Sequence, residues 1–126
     1  MTSPIDPIEF ARSVRPPRRE TCGGFVVRWL EAIGLRARTP TPAELMRSWR
    51  EDGVLEGAEN WFALMGLERC APGPHCVAVV EQDGGGPLVG VIRADGRFVA
   101  CAFGELAVKT SPRIVAAWRI PGGPRV

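Results

Sequence analysis

At 126 residues, with 45% hydrophobic and 24% charged residues, the chain is long enough for one core and too apolar for disorder. Sixteen Lys and Arg against fourteen Asp and Glu leave a net charge of +2, far from the strongly basic balance of a chain built on phosphate contacts. No apolar run reaches the roughly 18–20 residues that cross a bilayer, so no membrane span is expected, and the opening Met1-Thr-Ser-Pro-Ile-Asp6 lacks the basic and apolar regions of a signal peptide.

Residues 1–20 read as a Pro/Arg-rich N-terminal arm with a short helix around Ile8–Val14. Arg12, Arg15, Arg18 and Arg19, beside Pro16 and Pro17, form one local basic cluster. Fifteen of the sixteen basic residues are Arg, and Lys109 is the single Lys. Codon usage in a GC-rich genome accounts for that bias, so an Arg-rich nucleic-acid-binding module is only an alternative reading.

A single domain is expected over residues 21–120, with a frayed tail at 121–126. Thr21 can cap a helix whose Cys22, Phe25, Val26, Trp29 and Ile33 fall on one face at helical spacing, and Gly34 ends it. Thr41, Pro42 and Glu44 compose a capping box for a second helix with Leu45, Met46 and Trp49 as its apolar face. Gly53 breaks it. A third helix carries Leu55, Ala58, Phe62 and Met65 and stops at Gly66.

The period then changes. Ala71-Pro-Gly-Pro74 is a turn cluster. Strands are expected at 76–81, 88–94, 97–103, 106–110 and 114–120, with a tight turn at Asp95-Gly96. Helices first and an antiparallel sheet of four to five strands second is an α+β pattern. The Gly84-Gly-Gly86 run is followed by a strand rather than a helix, so it reads as a hairpin loop and not a phosphate cradle.

The cysteines are Cys22, Cys70, Cys76 and Cys101, and no two show C-x-x-C spacing. Free thiols are expected. Cys70, His75 and Cys76 cluster without a fourth ligand of matching spacing, so neither a metal nor a cofactor is expected. Cys22 draws more interest. A cysteine in the first helical turn feels the positive end of the macrodipole, which favours the nucleophilic thiolate. A histidine on a facing strand would complete a Cys–His pair. The competing reading is a small buried apolar side chain.

Thr21-Cys-Gly-Gly-Phe-Val-Val27 resembles the Asp-Cys-Ser-Gly-Leu-Val segment of NlpC-type cell-wall peptidases, which have a papain-like fold. Val77–Gly104 is similar to that family's "Gly-Asp-Val-Val … His-Val-Gly-Ile … Asp-Gly" hairpin, with Leu88-Val-Gly-Val91 in the place of His-Val-Gly-Ile. Ala116-Ala-Trp-Arg-Ile120 is close to the ending of small NlpC-like proteins of phage and prophage tail gene clusters. The resemblance spans roughly residues 18–120.

It implies about three helices packed on the sheet, Cys22 as nucleophile or its vestige, and Leu88 where the family has its histidine. Thr21 stands for the family's Asp, and Gly23 for its Ser. His75, the chain's one histidine, is a displaced candidate base. The expected function is a degenerate, non-catalytic structural or adaptor part of a phage tail-tip region. Its partners would be other tail or particle proteins and its contacts peptidoglycan, in the virion or in host cytoplasm during assembly. The alternative is an active cysteine hydrolase or amidase of cell-wall peptides.

Overall fold

A computed structural model describes residues 5–14, 21–84 and 86–122. Helices α1 (Pro7–Val14), α2 (Cys22–Ala32), α3 (Pro42–Asp52) and α4 (Val54–Leu64) come first. Strands β1 (Glu68–Arg69), β2 (Val77–Glu81), β3 (Leu88–Ile92), β4 (Phe98–Ala102), β5 (Glu105–Lys109) and β6 (Arg113–Arg119) follow. They pair antiparallel in the order β1-β6-β2-β3-β4-β5. The protein is therefore α+β, with four helices and six strands among the described residues. The count corrects the expectation of about three helices and four to five strands. The short helix near Ile8 is a full element, and β1 is the added strand. Two residues, Glu-Arg, show no alternation from which a strand could be read.

Three of the four described helices start on a side-chain cap, and α4 follows Gly53 without one. Thr21 is extended and its hydroxyl accepts from the Gly24 amide at 3.3 Å, capping α2. Thr41 and Glu44 close the capping box of α3 in both directions, at 3.2 and 3.1 Å. Asp6 caps α1 through the Glu9 amide at 3.2 Å. Gly34, at φ 108°, lets the chain leave α2 in a left-handed turn that a side chain would resist.

The core lies between α2 and the sheet. α2 packs on β3 and β4, and α4 on β2 and β3. Phe25, Trp29 and Ile33 are buried, as the helical spacing implies, each worth about 1.5–3 kcal/mol on burial. β2 is buried at every position from Val77 to Val80, which suits its unbroken apolar run.

The described part of the N-terminal arm is docked. The Trp29 indole N–H donates to the Ile5 carbonyl at 2.8 Å, Arg93 meets Asp6 at 2.7 Å, and the Phe10 ring lies 5.9 Å from that of Phe25. Arg12 is exposed on α1, while Arg15, Pro16, Pro17, Arg18 and Arg19 lie outside the described residues, as do 123–126 of the tail.

Trp49 joins three helices. A Cβ on Gly23 of α2 would sit 2.8 Å from the indole, and one on Gly57 of α4 would sit 2.5 Å from it. Two glycines thus make room for one ring of α3. The Trp61 indole adds a bond from α4 to Ser48 of α3, at 2.6 Å.

Candidate functional site: the Cys22 cleft

Cys22 is the first residue of α2, and only 8% of it is exposed. Its sulfur accepts a hydrogen bond from the Val89 amide at 3.5 Å. The sheet explains why that amide is available. Ile92 bonds toward β2, through its own N–H to Cys76 and its carbonyl to the His75 amide. Arg93 bonds the other way, donating to the Arg97 carbonyl. Amides alternate along a strand, so those of Val91 and Val89 point toward β4. The β3–β4 ladder covers only Val91↔Val99 and Ile92↔Phe98. Where β4 leaves β3, Cys22 fills the gap and satisfies the Val89 N–H.

That setting opposes a thiolate. Burial pushes the Cys22 thiol up from its ordinary 9.0. The amides of Val89, Gly23 and Cys22 itself pull the other way and do not offset it.

Beside the sulfur opens a cleft of about 390 Å³, lined by Thr21, Cys22, Met46, Trp49, Arg50, Val54, Pro87, Leu88, Ala102 and Phe103. Cys22 and Arg50 are the only ionisable groups among those residues. Leu88 lines the cleft with Cys22. A hydrocarbon side chain there can take no proton.

His75 is elsewhere. It precedes β2 at the Ile92 end of β3, three residues from Val89, or roughly 10 Å along the strand. It does not line the cleft. Its backbone is left-handed, φ 68°, and its N–H donates a hydrogen bond to the Ile92 carbonyl at 2.8 Å.

Two cleft residues carry no sequence motif. Phe103 is 61% exposed and left-handed at φ 53°, followed by Gly104 at φ 81°. Together they make the two-residue hairpin between β4 and β5, an arrangement that favours Asn or Gly over an aromatic residue. Phe103-Gly104 between two strand patterns was the available signal. The Trp49 indole N–H is buried and has no hydrogen-bond partner among the described residues.

Two of the remaining cysteines stand together. The sulfurs of Cys70 and Cys76 are 3.3 Å apart, and Cys101 is buried in β4. Among the described residues no group of three or more His, Cys, Asp or Glu side chains is arranged to hold a metal ion. No helix among them is long and apolar enough to cross a membrane.

The chain matches no family model, and neither a curated protein nor a solved structure is significantly similar to it.

Proposed function

We propose that the chain is a degenerate NlpC-like domain, papain-like in fold, that serves as a structural or adaptor component of a phage tail-tip region rather than as a hydrolase. The observation that carries the non-catalytic part is the pairing of Cys22 with Leu88 in one cleft. The thiol is buried and bonded to a backbone amide, and the neighbour that would have to be a base is a hydrocarbon. Proton transfer by a positioned base contributes about 10²–10⁴ in rate, and none of the described cleft residues supplies it. A cysteine at the start of a helix laid on an antiparallel sheet supports the NlpC-like reading. The tail assignment rests on the resemblance of Val77–Gly104 and Ala116–Ile120 to tail-cluster proteins, and so on analogy rather than on site chemistry.

An apolar cleft with an exposed aromatic at its rim suits the docking of a protein side chain better than the turnover of a polar peptide. The test has two arms. The purified protein is incubated with muropeptides, and its gene is deleted from the source genome and complemented with Cys22→Ala. Uncut muropeptides, a tail-assembly defect on deletion, and rescue by Cys22→Ala are expected. Cleavage that disappears in Cys22→Ala would overturn the non-catalytic reading. Normal tails after deletion would overturn the tail assignment.

A further inference from the structure

We propose that Cys70 and Cys76 are an intramolecular disulfide site, closed reversibly by a small-molecule disulfide such as oxidised glutathione, that staples the β1–β2 connection. The sulfurs already stand 3.3 Å apart, in contact and one short movement from bonding distance. Neither backbone has to be recruited. The Cys70 amide is fixed to the Ala117 carbonyl of β6 at 3.0 Å. Cys76 is held from both sides, its amide on the Gly73 carbonyl at 3.3 Å and its carbonyl on the Ile92 amide at 2.8 Å. The intervening Ala71-Pro-Gly-Pro-His75 holds two prolines, which narrow the conformations in which the thiols could drift apart. Tethered groups in such proximity react as if at high concentration.

The two thiols differ in access, which sets the order of events. Cys70 is half-buried and can be reached from solvent, whereas Cys76 is 6% exposed. The Cys70 thiol loses its proton to solvent, and its sulfur attacks one sulfur of the reagent. The reagent's S–S bond breaks, a mixed disulfide forms on Cys70, and the departing thiolate takes up a proton. Cys76 then loses its proton, attacks the Cys70 sulfur, and expels the second thiol. Two cysteine thiols and one small-molecule disulfide give one protein disulfide and two small-molecule thiols. The two electrons pass from the cysteine sulfurs to the reagent.

Burial and the neighbouring Cys76 thiol push Cys70 up to about 11, so the first step is slow at neutral pH and the second, within the pair, is fast. Cys22 and Cys101, at 8% and 4% exposure, are shielded from the same reagent. The bridge adds a covalent tie to the short pairing of the two-residue β1 with β6, Glu68↔Arg119 and Arg69↔Trp118.

The experiment incubates the folded chain with oxidised glutathione, alkylates remaining thiols under denaturing conditions, and maps the tryptic peptides. Cys70 and Cys76 share one peptide, residues 70–93, separate from those carrying Cys22 and Cys101. Expected is a 70–93 peptide about 2 Da lighter than its reduced form, unalkylated and free of glutathione. Dithiothreitol should restore both thiols. The oxidised protein should melt roughly 5 °C higher. In Cys76→Ser the glutathione adduct should remain trapped on Cys70. The proposal is overturned if all four thiols alkylate after treatment that fully oxidises a two-cysteine control peptide. A persistent adduct on wild-type Cys70, or a bridge in another peptide, would overturn it equally.

Discussion

The amide of Val89 donates to the sulfur of Cys22 at the point where β4 parts from β3. The residue that sequence resemblance marks as a nucleophile thus closes a gap in a sheet. A buried amide left without an acceptor costs about 1–3 kcal/mol. The thiol therefore has a structural task that does not require ionisation.

Removing that acceptor should be felt. Cys22→Ala leaves the Val89 N–H unsatisfied and opens a small void, for an expected loss of about 2 kcal/mol in urea denaturation. Cys22→Ser keeps an acceptor and should lose less. The buried thiol also sets an alkaline limit. Its folded pKa lies above the unfolded 9.0, so the folded state holds the proton more tightly. The associated stability is complete below pH 9 and falls as pH rises toward the folded value. The decline in thermal midpoint above pH 9 should be shallower in Cys22→Ala. An equal decline in both proteins would remove Cys22 as its cause.

Trp49 between Gly23 and Gly57 gives a second test. Alanine is the better helix former by up to about 1 kcal/mol, so Gly57→Ala should stabilise α4 on propensity alone. The added Cβ would instead lie 2.5 Å from the indole of Trp49. We expect a net loss of about 1–3 kcal/mol. The loss should shrink by at least about 1 kcal/mol when measured in Trp49→Leu, since the two sites are in contact. Additive losses would show that the ring is not the obstacle.

α1 should detach first in acid. Burial raises the Asp6 carboxyl, but the Arg93 hydrogen bond and the amides of Glu9 and Ile8 together outweigh it and hold Asp6 below its ordinary 3.8. A depressed carboxylate contributes stability above its unfolded pKa and loses it as pH falls through the lower folded value. Solvent screening around the Asp6–Arg93 pair keeps that contribution small. Hydrogen exchange at Phe10 and Ala11 should accelerate below pH 4 before the sheet amides respond. Asp6→Asn should bring that acceleration to neutral pH.

The helices were legible because their signals are local. Thr41 with Glu44 and the Phe25–Trp29–Ile33 spacing say helix without reference to anything distant. The strands were legible as apolar runs between turns, with limits shifted by one or two residues. β1 was not, because Glu68 and Arg69 are strand only by pairing with Arg119 and Trp118, some fifty residues on. The site was legible in part. Spacing put Cys22 at a helix start, and only the resemblance set Leu88 across from it. Neither could show that Val89 would offer its amide to the sulfur, since that depends on where the β3–β4 ladder ends. The need for Gly23 is explained only by the ring of Trp49 in another helix. The Cys70–Cys76 contact was hidden because five residues of loop do not fix the direction in which two side chains point.

Leu88 is the residue on which the non-catalytic reading turns, and replacing it is the sharpest test. Leu88 and Cys22 line the same cleft, so Leu88→His places an imidazole beside the thiol. An imidazolium stabilises a neighbouring thiolate and lowers its pKa, and each unit gained is tenfold more thiolate at neutral pH. We expect Cys22 alkylation at pH 7 to rise at least about tenfold in Leu88→His, measured with the other three cysteines replaced by Ser. Leu88→Gln opens the cleft to a similar degree without supplying a base, and should give a smaller rise that reports access alone. His75→Ala should leave Cys22 alkylation unchanged, because His75 sits at the far end of β3. Equal rates in Leu88→His and Leu88→Gln would mean that position 88 does not address the sulfur. A fall in wild-type reactivity on His75→Ala would mean that the one histidine reaches Cys22 after all, and would favour the hydrolase alternative.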